Sequence, residues 1–179
     1  GGGTTASGES SHAEGMRTTA SDTGTHAEGL GTIASALGAH AEGGYYNDGV
    51  IAYRTTASGT YSHAEGAYTI ASGEGSHSEG DAYHWDDNTF TPIEASGQAA
   101  HAEGRGTLAS GEGSHAEGTA YKAIDGTVHR TTASEEGAHA EGIGTVASGK
   151  GSHAGGTRGI ASGDYSFTQT TGEDNPVWE

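Results

Sequence analysis

The chain has 179 residues, of which 34 are Gly and 31% are hydrophobic, with a formal charge of −17. A globular domain is roughly 45–50% apolar counting Gly, with Gly near about 7%, so this chain cannot build a thick Leu/Ile/Phe core. The charge argues against nucleic acid and anionic membrane as partners. The absence of Cys excludes disulfides and thiolate metal sites, and no apolar run approaches the roughly 20 residues of a membrane span.

In chain order, Thr4-Thr-Ala-Ser-Gly8 is followed by Ser11-His-Ala-Glu-Gly15, and the pair then recurs to the end. The motif His stands at 12, 26, 40, 63, 77, 101, 115, 139 and 153, and five of the eight steps are 14 residues. The other three, of 23, 24 and 24, add 9 or 10 residues to that unit. The first half has its Ser at 7, 21, 35, 58, 72, 96, 110, 134, 148 and 162, which is ten copies. Low hydrophobicity with high net charge is a signature of disorder. A register held through three insertions is not, and it identifies a repeat architecture.

Each half reads (Ser/Thr)-x-Ala-x-Gly-x-x. Positions one, three and five are small, and two and four are larger or polar. Period-two alternation is a strand. Gly at position five ends it and opens a corner, because glycine tolerates positive φ. Two strands and two corners make one 14-residue coil, and coils stack in parallel at about 4.8 Å. Ten coils predict a rod on the order of 45 Å long. The small face lies inside, since a narrow coil has no room for His or Glu. The repeat domain spans 4–171, and 172–179 forms a tail or junction.

The doubled heptad resembles the YadA-like head repeat of trimeric autotransporter adhesins, and the HAEG-rich repeats of fibre proteins in phages and prophages of Gram-positive bacteria. The resemblance covers about residues 4–171. It implies a left-handed parallel β-roll and a homotrimer around one axis, neither of which the spacing itself gives. The chain departs from the adhesin pattern, S-V-A-I-G, by placing His and Glu where that repeat is apolar, so a greasy trimer core does not carry over. The expected class is therefore all-β, a left-handed parallel β-roll of 14-residue coils, homotrimeric, with three hairpin-like insertions.

His and Glu project outward on one face. In-register carboxylates about 4.8 Å apart repel by roughly 3 kcal/mol at an effective dielectric of 20, and by about 1 in water. The five Arg (17, 54, 105, 130 and 158) are too few to serve eight motif Glu. Along one strand His and Glu are about 7 Å apart, so a neighbouring subunit is the expected source of a carboxylate for each His. The expected trimer interface is accordingly His12, Glu14, His26, Glu28, His40, Glu42, His63, Glu65, His77, Glu79, His101, Glu103, His115, Glu117, His139, Glu141 and His153. A rival reading puts the drifting column of the other half on the axis: Thr5, Thr19, Ile33, Thr56, Ile70, Glu94, Leu108, Thr132, Val146 and Ile160. In the first case His gains a carboxylate on assembly, its pKa rises, and the trimer weakens as pH climbs through the raised value.

Nine near-equivalent copies fit a scaffold better than catalysis, which needs one oriented site, so no catalytic residue is assigned. No H-E-x-x-H zinc motif, no deaminase P-C-x-x-C and no calcium nonapeptide occurs. Three His on an axis could hold Zn²⁺, but filling every layer would set cations about 5 Å apart. No metal and no cofactor is assigned.

The insertions are 44–54, 81–92 and 119–130. All replace the same corner after H-x-E-G, so they leave the rod along one edge. Each has a turn signal at its middle (Asn47-Asp48-Gly49, Asp86-Asp87-Asn88, Asp125-Gly126) and β-prone flanks, which reads as a hairpin. Tyr45, Tyr46, Tyr53, Tyr83, Trp85, Phe90 and Tyr121 are the receptor-binding candidates, for a cell-surface glycan or a protein. The alternative use of these hairpins is to wrap the neighbouring subunit and lock the trimer. In the ninth copy Gly155 occupies the Glu slot, and Ser166-Phe-Thr-Gln-Thr170 then replaces the motif.

The resulting expectation is a non-enzymatic segment of a trimeric extracellular fibre, on a virion tail or cell surface. It presents or forms a host-binding surface, with itself as partner, and involves neither nucleic acid nor membrane insertion. A phage fibre is preferred to a bacterial adhesin head on the HAEG resemblance. An alternative of another class, a polysaccharide-degrading tailspike, would need a carboxylate pair about 5–10 Å apart, for which Asp48, Asp86 and Asp125 are the unrepeated candidates.

Overall fold

A computed structural model describes residues 2–47, 52–85 and 89–171. Its described residues form no helix and build two long parallel sheets, each containing one half of every coil. The T-x-A strands make a ten-stranded sheet in strict chain order. The H-x-E-G strands lie on the other side as an eleven-stranded sheet, one strand of which is the returning arm of a hairpin. Register is exact from coil to coil: His26 pairs with His40, Glu28 with Glu42, and Ala27 with Ala41. The insertions do not disturb it, since His77 pairs with His101 across ten extra residues. This is a parallel β-solenoid, with one 14-residue unit per layer.

The interior is a double column of Ala. Ala20, Ala34, Ala57, Ala71, Ala95 and Ala109 come from one sheet, and Ala27, Ala41, Ala64, Ala102 and Ala116 from the other, all fully buried. Ser78 replaces one Ala without loss of burial. Ile93 is the largest fully buried side chain, in a slot that Thr fills elsewhere, and its Cδ1 reaches toward Gly80.

In several coils the small polar residue opening a half ties down a corner, though the hydroxyls of Thr18, Ser62, Thr69 and Ser114 find no partner. Ser76 Oγ donates to the Gly73 carbonyl at 2.8 Å, and Thr25 Oγ1 donates to that of Asp22 at 2.7 Å. At the other corner Thr107 Oγ1 donates to the Glu103 carbonyl, and Thr145 Oγ1 to that of Glu141, both at 3.1 Å. The Gly73 and Asp22 carbonyls lie in corners outside the strands, whereas those of Glu103 and Glu141 belong to strand residues and gain a second donor.

Corner geometry departs from expectation in one respect. Positive φ does occur at the H-x-E-G glycine, as at Gly118 (φ +118°), where a Cβ would also collide with the Gly142 carbonyl oxygen. The glycine of the first half does not have positive φ. Gly73 is required instead because the Gly97 carbonyl of the next coil occupies the space of a Cβ. At that corner the left-handed residue comes two positions before the His. It is glycine in six coils, as at Gly113, and Ser10, Tyr61, Ala99 or Tyr165 in the other four, at φ of 53–57°.

The insertions form antiparallel pairs: Tyr45 with Arg54, Tyr83 with Thr91, and Tyr121 with His129. The Asp125-Gly126 turn is seen, with Thr127 N–H donating to Asp125 Oδ1 at 2.9 Å. The other two turn signals, with Asp48 and Asp86, lie outside the described residues, as does 172–179.

Candidate functional site: a His–Glu ladder and an aromatic edge

Strand alternation sends Ala inward and therefore sends His and Glu outward from every rung. Parallel register then stacks like on like. From His26 to His139 successive rings lie 4.7–4.9 Å apart and within 7° of parallel. Order decays at both ends: His12 and His26 are at 73°, and His153 meets Phe167 at 69°.

The expectation that one chain cannot pair its own His and Glu fails. His63 Nε2 lies 3.4 Å from Glu42 Oε1 of the preceding coil, and His101 the same distance from Glu79. His115 reaches Glu103 at 3.5 Å, His139 reaches Glu117 at 3.8 Å, and His153 reaches Glu141 at 3.4 Å. Near the N-terminal end the pair lies within one strand, His12 to Glu14 at 3.4 Å. The 7 Å strand repeat measures backbone, and two long side chains close that gap. The need for a neighbouring subunit's carboxylate therefore disappears as an argument.

Proximity does not bring full hydrogen bonding. The Nε2 atoms of His63, His77, His101, His115, His139 and His153 are sealed from solvent and have no hydrogen-bond partner. Each ring itself remains about one-third exposed, as at His101 (35%). The sealed edge faces the carboxylates.

The Glu column answers its own crowding by alternation. Hydrogen bonding to Glu79, with desolvation and the Glu42 carboxyl, pushes Glu65 up to about 7. Bonding to Glu117 and Glu79 does the same for Glu103, also up to about 7. Their neighbours move the other way: Glu42, Glu79 and Glu117 are held below the usual carboxylate range, chiefly by accepting from Glu28 or Glu103. Stacked carboxylates thus share protons. His40, His77 and His115 are lowered, first by burial and then by flanking imidazoles. Within a single chain this is opposite to the rise expected on assembly.

Beside the C-terminal part of the Glu column runs an open trough of about 460 Å³, walled by Glu103, Glu117 and Glu141 and floored by Gly104, Gly118, Gly142 and Gly156. The column ends there, because Gly155 takes the next Glu slot.

Along the insertion edge the aromatic residues pack on their own chain. Trp85 is 7% exposed, stacks on Tyr83 at 3.9 Å, and donates from Nε1 to Thr91 Oγ1 at 2.9 Å. Tyr53 bridges hairpins, touching Tyr68 and Phe90 at 4.9 and 4.8 Å. Tyr121 stacks on His129 at 4.7 Å. Tyr45, Tyr53, Tyr83, Phe90 and Tyr121 remain half-exposed, and the Tyr46 side chain lies outside the described residues.

The corner arginines bind this edge to the rod. Arg17 Nη1 donates to Tyr45 Oη at 3.1 Å, Arg105 lies 4.4 Å over the Tyr83 ring, and Arg158 lies 5.2 Å over Tyr121. Partly buried Arg130 donates to the carbonyls of Gly106, Pro92 and Thr107 and pairs with Glu94 at 3.3 Å. In the sequence these arginines counted only as too few for the motif Glu, and their use at this edge is a finding of the fold. The sequence does hold a signal: Arg105 stands one coil from Tyr83, and Arg17 and Arg158 stand two coils from Tyr45 and Tyr121. Compared with models of known protein families and with curated proteins, the chain matches none.

Proposed function

We propose that this chain is a non-enzymatic rod segment of a homotrimeric extracellular fibre, packed on its sisters through the His–Glu face and offering its aromatic edge to a host surface. The reading rests on one observation, the unbroken in-register stack of H-x-E rungs on one flat sheet. Identical rungs distribute chemistry along an axis instead of concentrating it, as a structural face does and an active site does not. The opposite outer column drifts from Thr19 through Ile33, Ile70 and Glu94 to Leu108, which water tolerates and a shared axis would not.

On the other edge the half-exposed Tyr53, Tyr83, Phe90 and Tyr121 offer an aromatic surface prearranged by Trp85 and the corner arginines, the type of surface that forms interaction anchors. By its resemblance the fibre is that of a phage tail, with a bacterial adhesin head as the alternative.

Light scattering on the purified chain should give three times 17.8 kDa; a monomer in dilute neutral buffer would defeat the reading. Glu103→Lys should then dissociate the particle, and Leu108→Lys on the other sheet should not. The reverse result would move the axis to the T-x-A face.

A further inference from the structure

The His–Glu ladder has a chemistry that a purely structural face does not require. Its imidazole Nε2 atoms are shut away from water, lack a hydrogen-bond partner, and still lie within 3.4–3.8 Å of a carboxylate oxygen. A sealed, unpaired nitrogen is costly unless something satisfies it.

Geometry says what could. A tetrahedral Zn²⁺ binds His N at about 2.0–2.1 Å and carboxylate O at about 2.0–2.2 Å, which sets the two ligand atoms about 3.4 Å apart. The observed values are 3.4 Å for His63–Glu42, His101–Glu79 and His153–Glu141, and 3.5 Å for His115–Glu103. A third donor is near in the first, second and fourth of these pairs. In Glu79–His101–Glu103 and in Glu103–His115–Glu117 the ligand atoms all lie within 4.8 Å of one another, and His40–Glu42–His63 forms a comparable group.

We propose that the ladder binds divalent transition-metal ions, each held by imidazole and carboxylate groups of two adjacent coils.

The mixed imidazole–carboxylate set selects Zn²⁺, Cu²⁺ or Ni²⁺ over Ca²⁺ and Mg²⁺, which prefer all-oxygen shells. Access is from the carboxylate side, where the trough along Glu103, Glu117 and Glu141 is open. Occupancy cannot extend to every rung. His40–Glu42–His63 and His63–Glu65–His77 share His63, and Glu79–His101–Glu103 and Glu103–His115–Glu117 share Glu103, so of these four and His12–Glu14–His26 no more than three fill at once, and ions on successive rungs would repel. The dications also offset part of the like-charge crowding down the Glu column. The proposal uses contacts within one chain and is independent of the trimer.

The test uses the full chain stripped by chelator, then titrated with Zn²⁺ alone at pH 7.5. Native mass spectrometry reads ions per chain, and the same spectra read the oligomer. About three Zn²⁺ per chain are expected, with a rise in melting temperature that Ca²⁺ at equal concentration does not produce. The double variant Glu79→Gln, Glu103→Gln keeps every His. It should lose about one ion, or bind it at least about tenfold more weakly, while its circular dichroism stays that of the parent. Unchanged Zn²⁺ binding in that variant would mean adventitious capture by surface imidazoles and would overturn the proposal. Equal binding of Ca²⁺ would overturn it as well, in favour of simple charge screening. A monomeric mass with three Zn²⁺ would sink the trimer reading and leave this one standing; a trimer with no Zn²⁺ would do the opposite.

Discussion

The two sheets grow from nearly the same heptad, yet they differ in how much each rung depends on the next. On the T-x-A side the strands are two or three residues long, and the outer position accepts Thr, Ile, Leu, Val or Glu. On the H-x-E-G side most strands are five residues long, and the outer pair hardly changes until Gly155. In the first sheet an outer side chain answers mainly to solvent. In the second it stacks on its copy above and below and pairs diagonally, so its identity is set by its neighbours. Inside, the sheets are alike, because both feed the same alanine column.

The largest effect should come from the feature the sheets share. Ala116→Leu forces three additional heavy atoms into a fully buried column. Overpacking at such a site costs about 3 kcal/mol or more, visible as a lower urea midpoint. Ala116→Ser should cost under about 1 kcal/mol by comparison with native Ser78. Equal costs would mean the column is loose.

Next come the corners. Gly118→Ala combines a positive φ with a collision at the Gly142 carbonyl and should cost about 2–3 kcal/mol by the same denaturant measurement. Gly113→Asn, at a left-handed position with open space around it and with Tyr61, Ala99 and Tyr165 as native equivalents, should cost under about 1 kcal/mol. Similar losses at both corners would contradict the crowding described for the H-x-E-G side.

The ladder itself predicts a pH dependence, measured with chelator present. The folded chain holds a proton on Glu103 up to about 7, against an ordinary 4.5. Between pH 4.5 and 7 the native state therefore binds more proton than the unfolded chain, and rising pH removes stability. The lowered His40, His77 and His115 act in the opposite sense, losing stability as pH falls below 6.5. Glu103→Gln isolates the carboxyl contribution. Its melting temperature relative to the parent should climb from pH 4.5 to about 7 and then level off. A constant difference would show that the carboxyls do not share protons.

The smallest effect belongs to the drifting column. Ile70→Thr should change stability by no more than about 0.5 kcal/mol, while His77→Thr, which breaks a stack of parallel rings, should cost about 1. Identical values would erase the distinction between the sheets.

The layered fold was legible because the 14-residue period, the small inner residues and the hairpin turns are all local signals. Side-chain reach across coils was not. Nothing in a strand spacing tells that His101 leans back to Glu79, or that Trp85 folds onto Tyr83 and turns its indole N–H to Thr91. Those contacts join residues 22 apart in one case and depend on rotamers in both. Tyr61 and Tyr165 at left-handed corners were equally hidden, since neither residue type signals that backbone. Aromatic composition marked the insertion edge; it could not separate half-exposed Tyr121 from buried Trp85.

Exact register has a consequence for how such a rod can change over generations. Because each layer touches only the layers beside it, recombination between two near-identical units deletes or duplicates whole turns. The product is a shorter or longer ruler, graduated in steps of about 4.8 Å, whose cross-section is unaltered.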